Sequence, residues 1–140
     1  MRELKIKNGV QEFKINGDEN KILRINTADL QILNRAKKAE TELKEIANEC
    51  ININQNMSND ESIDLLDKYD KKVKKTIDYI FNTNASQVVF GEMNCLSICD
   101  GQPVFKNFLD EILPVITTDI ESETKKSQAN INKYTSQVKK

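Results

Sequence analysis

The sequence predicts an α+β fold: an N-terminal antiparallel β-hairpin or meander packed on a mostly helical domain, made of a long antiparallel helical hairpin and a proline-interrupted C-terminal helix. Three observations predict it. Residues 3–26 alternate apolar and polar side chains between two turn-forming stretches, Asn8-Gly9 and residues 17–20, which is the two-residue period of half-buried strands. From Thr27 to Ile53 there is neither glycine nor proline, and apolar residues recur at four-then-three spacing, the period of an amphipathic helix. The stretch after Pro103 repeats that spacing around an internal proline, Pro114. At 140 residues the chain has the size of a single domain.

The opening third is expected to be a three-stranded meander over residues 1–26. Leu4 and Ile6 alternate with Lys5 and Lys7, and Asn8-Gly9 follows. That dipeptide is the strongest two-residue hairpin signal, because both turn positions need φ > 0. Turning there would place Leu4, Ile6, Phe13 and Ile15 on one apolar face. A second turn over residues 17–20 leads to a strand over 21–26 that carries Leu23 and Ile25. A loop of about three or five residues would set Ile15 opposite Leu23 and Phe13 opposite Ile25. A meander with one greasy face cannot stand alone and must lie on a helix.

A helical hairpin over residues 27–81 supplies it. Thr27 is the expected N-cap and Asp29 sits in the positive first turn. The stripe Ile32, Ala36, Ala39, Leu43, Ile46, Cys50 and Ile53 faces a neighbour, and Cys50 reads as a small core residue on it. Ser58-Asn59-Asp60-Glu61 is a capping box for the returning helix. There Ile63, Leu66, Val73, Ile77 and Ile80 form the stripe, with Tyr69 at its edge. Lysines crowd residues 68–75, but Asp64, Asp67 and Asp70 precede Lys68, Lys71 and Lys74 by four positions each. That is salt-bridge spacing on a solvated helix, not a nucleic-acid patch.

Short pieces are expected over 82–103. Asn82-Thr83-Asn84 caps a helix that carries Val88, Val89 and Phe90, and Gly91 stops it. Asn94 caps a turn over 95–99, Asp100-Gly101 makes a bend, and Pro103 opens the last helix. In that helix Phe105, Phe108, Leu109, Ile112, Ile116 and Ile120 share one face. Pro114 predicts a kink near Asp110 or a break just before the proline. Residues 123–140 form a polar tail that either frays or docks its thin stripe of Ile131, Tyr134 and Val138 on a partner.

Composition narrows function. The chain has no histidine, which removes the commonest general base and metal ligand. There is no glycine-rich phosphate loop and no G-x-S-x-G. Cys95 and Cys99 are four apart and would share a helical face, but that is half a metal site at best. The expectation is no catalytic residue, no cofactor and no metal, hence not an enzyme. Lys+Arg of 21 against Asp+Glu of 22 gives a net charge of -1, which argues against nucleic-acid wrapping. No run approaches the about 20 apolar residues of a membrane span, and three scattered cysteines are not a secreted disulfide framework. The expected location is a reducing cytoplasm, with no membrane partner.

The ordering INGDENKILRIN, a polar helix, then TIDYIFNTNASQVVFGEMNCLSICDG and FKNFLDEILPVI resembles the tail-assembly chaperones of prophages and tailed phages of Gram-positive bacteria. The detailed likeness runs through Ile80-Phe81, Val89-Phe90-Gly91, Asn94 to Cys99, and Phe105, Phe108 and Leu109. The resemblance implies a non-enzymatic role in virion assembly. Such a protein binds the long, helical, partly apolar tape measure protein and keeps it soluble, then hands over to the major tail protein as the tube assembles. A holdase of that kind needs an exposed apolar stripe and many weak contacts. The candidate protein-binding residues are Phe105, Phe108, Leu109, Ile112 and Ile116, with Phe90; the same residues would also serve as core against the helical hairpin. The alternative is a self-assembling tail or connector subunit, a homo-oligomer with residues 32–53 as its seam.

Overall fold

The computed structural model describes residues 1–55 and 60–138, with side chains described through residue 133. The architecture is α+β. A two-stranded antiparallel sheet, β1 (Val10–Lys14) and β2 (Ile22–Asn26), precedes α1 (Leu30–Gln55), α2 (Asp60–Phe81) and the short α3 (Ala85–Phe90). A second two-stranded piece, β3 (Ile98–Cys99) and β4 (Gln102–Pro103), leads into α4 (Val104–Val138).

The expected meander is a single hairpin. Residues 1–9 form no strand, and Leu4 and Ile6 are 87% and 76% exposed. Asn8-Gly9 does not reverse the chain. The Asn8 Oδ1 accepts the Val10 N–H at 3.2 Å, and the Gly9 carbonyl accepts the Thr27 N–H at 3.2 Å, so the ladder runs straight on past β1. Glycine is required there for another reason. Its φ is +93°, and a Cβ would lie 2.5 Å from the Ala28 Cβ, so the backbone of one strand approaches its neighbour where no side chain fits. The true reversal is the five-residue loop 16–20, where Asn16 and Gly17 have φ of 51° and 74° and the Ile15 N–H reaches the Lys21 carbonyl at 3.0 Å.

Register shifts by two residues from the expected one. Phe13 pairs with Leu23 and Gln11 with Ile25. A slip of two keeps every side chain on its face, so Leu23 and Ile25 are buried at 1% exposure while Phe13 and Ile15 pack on the core from its edge.

The cap of α1 is Asp29, whose Oδ1 accepts the Gln31 N–H at 2.9 Å; Thr27 is buried in the sheet junction instead. The α1 stripe is as expected: Ile32, Leu43, Ile46, Cys50 and Ile53 are buried, with Ala36 and Ala39 beside them. Helices α1 and α2 run antiparallel, because their cross-contacts count down one helix as they count up the other. Tyr69 donates to Glu49 Oε2 at 2.6 Å, Lys72 pairs with Glu42 at 3.4 Å, and Arg35 donates to the Ile80 carbonyl at 3.4 Å. The stripe residues Ile32, Leu43, Ile46, Cys50 and Ile53 are thus buried within this chain. Ile63, expected on the α2 stripe, is 48% exposed. The loop at Asn56-Met57 and the first half of the capping box, Ser58 and Asn59, lie outside the described residues; Asp60 and Glu61 occupy the first turn of α2.

Helix α3 is held from a distance. Asn84 makes no capping bond. Asp78 in α2 accepts the Ser86 N–H at 2.8 Å and the Ser86 hydroxyl at 2.9 Å, which supplies the N-terminal acceptor that Asn84 does not. Gly91 ends α3 at φ 57°, its N–H bonded to the Gln87 carbonyl at 3.0 Å. Asp100 and Gly101, with φ of 56° and 80°, form a tight two-residue turn joining β3 to β4, as type I′ geometry allows. Pro103 is the last residue of β4, not the first of α4.

Helix α4 is continuous through Pro114, so the expected break is absent. Buried Ile112 and Ile116 anchor it on both sides of the proline. Pro114 and Asp110 are exposed, so the carbonyl that loses its intrahelical partner lies where water satisfies it. Its polar second half is helical to Val138; the side chains of Tyr134 and Val138 lie outside the described ones. Among the described residues, no helix is long and apolar enough to cross a membrane.

Candidate protein-binding surface

The six candidate residues do not form one exposed stripe. Phe105, Ile116, Ile112 and Phe90 are 1%, 0%, 5% and 5% exposed; they are core, and burying them is what holds α4 to the body. Phe108 and Leu109 are half-buried. What these residues leave accessible divides into two grooves on opposite sides of α4.

The first groove lies between the β1–β2 hairpin and α4 and encloses roughly 650 Å³. Its floor is Phe90, Phe108 and Ile112, and Phe13 and Ile15 form the hairpin wall. The Phe108 ring stands edge-on to Phe81 at 5.5 Å and to Phe90 at 6.0 Å between centroids. This favoured quadrupolar arrangement fixes the floor. Two apolar side chains stand proud on the rim, Met93 at 48% and Val115 at 37% exposure, with Lys14, Lys21 and Glu111 around them. A flexible thioether beside rigid rings is the composition of a surface that accepts varied apolar partners.

The second groove, roughly 380 Å³, lies between α1 and α4. Leu43, Ala47, Phe105, Leu109 and Leu113 line it. Its charged rim is internally paired, Glu40 with Lys44 at 2.8 Å and Lys106 with Asp110 at 3.1 Å. Lys44 holds the Glu40 carboxyl below its ordinary value, and a bond from Gln102, then Lys106, does the same for Asp110.

Met93 is carried by segment 91–96, which is nailed to the helical hairpin by polar bonds. Asp70 is 8% exposed. Its Oδ1 accepts the Cys95 N–H at 2.8 Å, and its Oδ2 faces Lys74 at 3.1 Å. Lys74 also donates to the Gly91 carbonyl at 3.5 Å. Asn94 donates to the Leu66 carbonyl at 3.4 Å, and the Cys50 thiol donates to the Leu96 carbonyl at 3.0 Å. Asp70 was expected at a solvated position like Asp67; the Asp67–Lys71 pair, 2.9 Å apart, is exposed as expected. Spacing gives both pairs alike, and only the packing of segment 91–96 over Asp70 separates them.

Cys95 and Cys99 do not share a face: Cys95 is buried and Cys99 exposed. Among the described residues, no group of three His, Cys, Asp or Glu side chains is placed to hold a metal. Burial, then the Asp70 carboxylate, pushes the Cys95 thiol well above the ordinary value of 9.0; burial also raises Cys50. Iodoacetamide should therefore alkylate Cys99 in the native protein and reach all three cysteines only after denaturation, as read by intact mass. Linkage gives a sign as well. The unfolded chain releases these protons from about pH 9 upward and the folded chain keeps them, so stability is full below that pH and falls above it. Denaturant titrations at pH 8 and pH 10 check it; a midpoint that rises between them contradicts the burial of both thiols.

No family model, no curated protein and no solved structure matches the chain.

Proposed function

We propose that the protein is a phage tail-assembly chaperone-like binding protein. It acts without catalysis in the host cytoplasm, keeps tape measure protein soluble and helps the tail tube assemble. The observation that carries this reading is the hairpin–α4 groove: a fixed aromatic floor of Phe90 and Phe108 with Met93 and Val115 exposed at its rim. An amphipathic helix offers such a groove apolar side chains at three- and four-residue spacing, and a long helical client offers that pattern repeatedly. The likeness to the tail chaperones points the same way, since it includes Phe90 and Phe108 of the groove floor and residues 94–96 of the anchored segment beside it.

The test is co-expression with the tape measure and major tail proteins of the same phage, followed by pull-down from the tagged chain. Met93→Glu combined with Val115→Glu puts two charges on the rim without touching the core. Stability should change by less than about 1 kcal/mol, and tape measure recovery should fall at least tenfold. Equal recovery by the double variant would remove the groove from the binding site. Recovery of neither protein by the parent chain would remove the chaperone reading itself.

A further inference from the structure

The first seven residues have no partner in their own chain. Leu4 and Ile6 are 87% and 76% exposed, and among the described residues no hydrogen bond or ion pair reaches residues 1–7. Yet Glu3, Leu4, Lys5, Ile6 and Lys7 alternate as a strand does. Strand β1, just beyond them, is an open edge. Gly9 and Ile15 bond across to Thr27 and Lys21, so the odd-numbered residues of β1 turn their N–H and C=O toward β2, and Glu12 and Lys14 turn theirs outward. Among the described residues, no backbone group bonds to Glu12 or Lys14 from that outer side.

The two stretches match in one antiparallel register. It sets Lys5 against Glu12 and Glu3 against Lys14, two pairs of opposite charge, with Leu4 against Phe13 and Ile6 against Gln11. Cross-strand pairs of opposite charge and of apolar side chains stabilise a ladder. Because β1 pairs Phe13 with Leu23 and Glu12 with Arg24, the rows continue over three strands. Leu4, Phe13 and Leu23 share the core side; Lys5, Glu12 and Arg24 share the other, with the acid between two bases. A slip of one residue moves Leu4 and Ile6 to the opposite face. A slip of two sets Glu3 against Glu12 in one direction and Lys5 against Lys14 in the other.

Within one chain this match would need Asn8-Gly9 to turn. Asn8 does not have a positive φ and Gly9 is held against Ala28, so the segment runs on past its own β1 edge. We propose that two copies of the chain exchange these segments, residues 3–6 of each adding a third strand to the outer edge of the other's β1. The exchange of an identical element is reciprocal under a two-fold axis and closes at two copies. Gly9, at φ +93°, breaks the alternation between the segment and β1. Leu4 can therefore share the core side of the second copy's sheet while Phe13 keeps the core side of its own. The exchange rests on the hairpin alone and not on the binding role proposed above.

A cysteine pair decides between exchange and a turn within the chain. Facing Cα atoms at a pair that shares no hydrogen bond lie about 4.5 Å apart, within disulfide reach. In a Cys99→Ser chain, whose other cysteines are buried, Ile6→Cys with Gln11→Cys should oxidise to a covalent dimer on a non-reducing gel, and either substitution alone should leave a monomer. A monomer carrying an internal disulfide overturns the proposal. Sedimentation velocity of the parent over a concentration series should show a dimer. Lys5→Pro removes an N–H that the single chain leaves unbonded and the exchanged ladder needs, so it should give a monomer with parental circular dichroism. Glu3→Lys or Lys14→Glu alone should weaken the dimer about tenfold, since symmetry repeats each contact, and the two together should restore it. A parent that stays monomeric throughout the series, a dimer that survives Lys5→Pro, or a charge-exchanged double variant as weak as the singles also overturns the proposal.

Discussion

Replacing Phe105 by alanine should lower the unfolding free energy by about 4 kcal/mol, within the range measured for large aromatic-to-alanine truncations in cores. Phe105 is 1% exposed and sits in the first turn of α4, where the chain leaves β4. Its ring lies beside Ile80 of α2 and Leu43 of α1 along the α1–α4 groove, and its N–H donates to the Cys95 carbonyl at 3.0 Å. Truncation removes an aromatic where three helices meet, and the pinned backbone limits how far the site can collapse around the void. Urea unfolding should show a lower midpoint with an unchanged slope. Phe105→Leu should recover more than half the loss, because it restores most of the volume. A loss below about 1 kcal/mol for the alanine variant would mean that the ring is not core, and would return it to the list of candidate binding residues.

That prediction marks the division between what was legible in the sequence and what was not. Periodicity locates apolar faces well. The stripes of α1 and of the first half of α4 lie where four-then-three spacing puts them, and the hairpin faces survive a two-residue register slip because parity alone sets them. Periodicity does not say whether a face is covered by its own chain or by another. Phe105, Ile112 and Ile116 fit a binding stripe as well as a core in sequence, and only their burial decides.

Glycine was misread for a physical reason. Asn8-Gly9 has the composition of a type I′ turn, but Gly9 serves a close approach to Ala28, a contact made across the sheet and invisible to local spacing. The same dipeptide logic succeeded at Asp100-Gly101, where the turn is local. Helix α4 runs on through Pro114 because the cost of a proline depends on whether the freed carbonyl reaches water. The rim of the groove was missed altogether: Met93 stands on a non-periodic segment, and its position depends on long-range bonds to Asp70, Lys74 and Leu66. The one available signal was an acid four residues before a lysine, and Asp67–Lys71 gives that signal without the burial.

Asp70→Ala should cost about 3 kcal/mol and should also loosen the groove. Breaking one partner out of a buried pair costs about 3–5 kcal/mol; the lower end applies because the Asp70 and Lys74 side chains keep 12% and 19% of their exposure. The carboxylate does two separate jobs, and graded variants separate them. Asp70→Asn keeps an acceptor for the Cys95 N–H while removing the charge that faces Lys74, so it should lose about half as much as alanine. Lys74→Met should rescue part of the asparagine variant, since an apolar partner no longer leaves an unpaired ammonium beside a neutral amide. If the asparagine and alanine variants are equally destabilised, the ion pair and not the backbone cap carries the energy. The consequence for binding follows from position. Segment 91–96 hangs on these bonds and carries Met93, so its amides in the alanine variant should exchange with solvent well before global unfolding. Binding of the proposed tape measure client should then fall in the alanine variant at temperatures where its circular dichroism is still that of the parent. An alanine variant that binds normally while 91–96 exchanges freely would show that the groove works without a fixed rim.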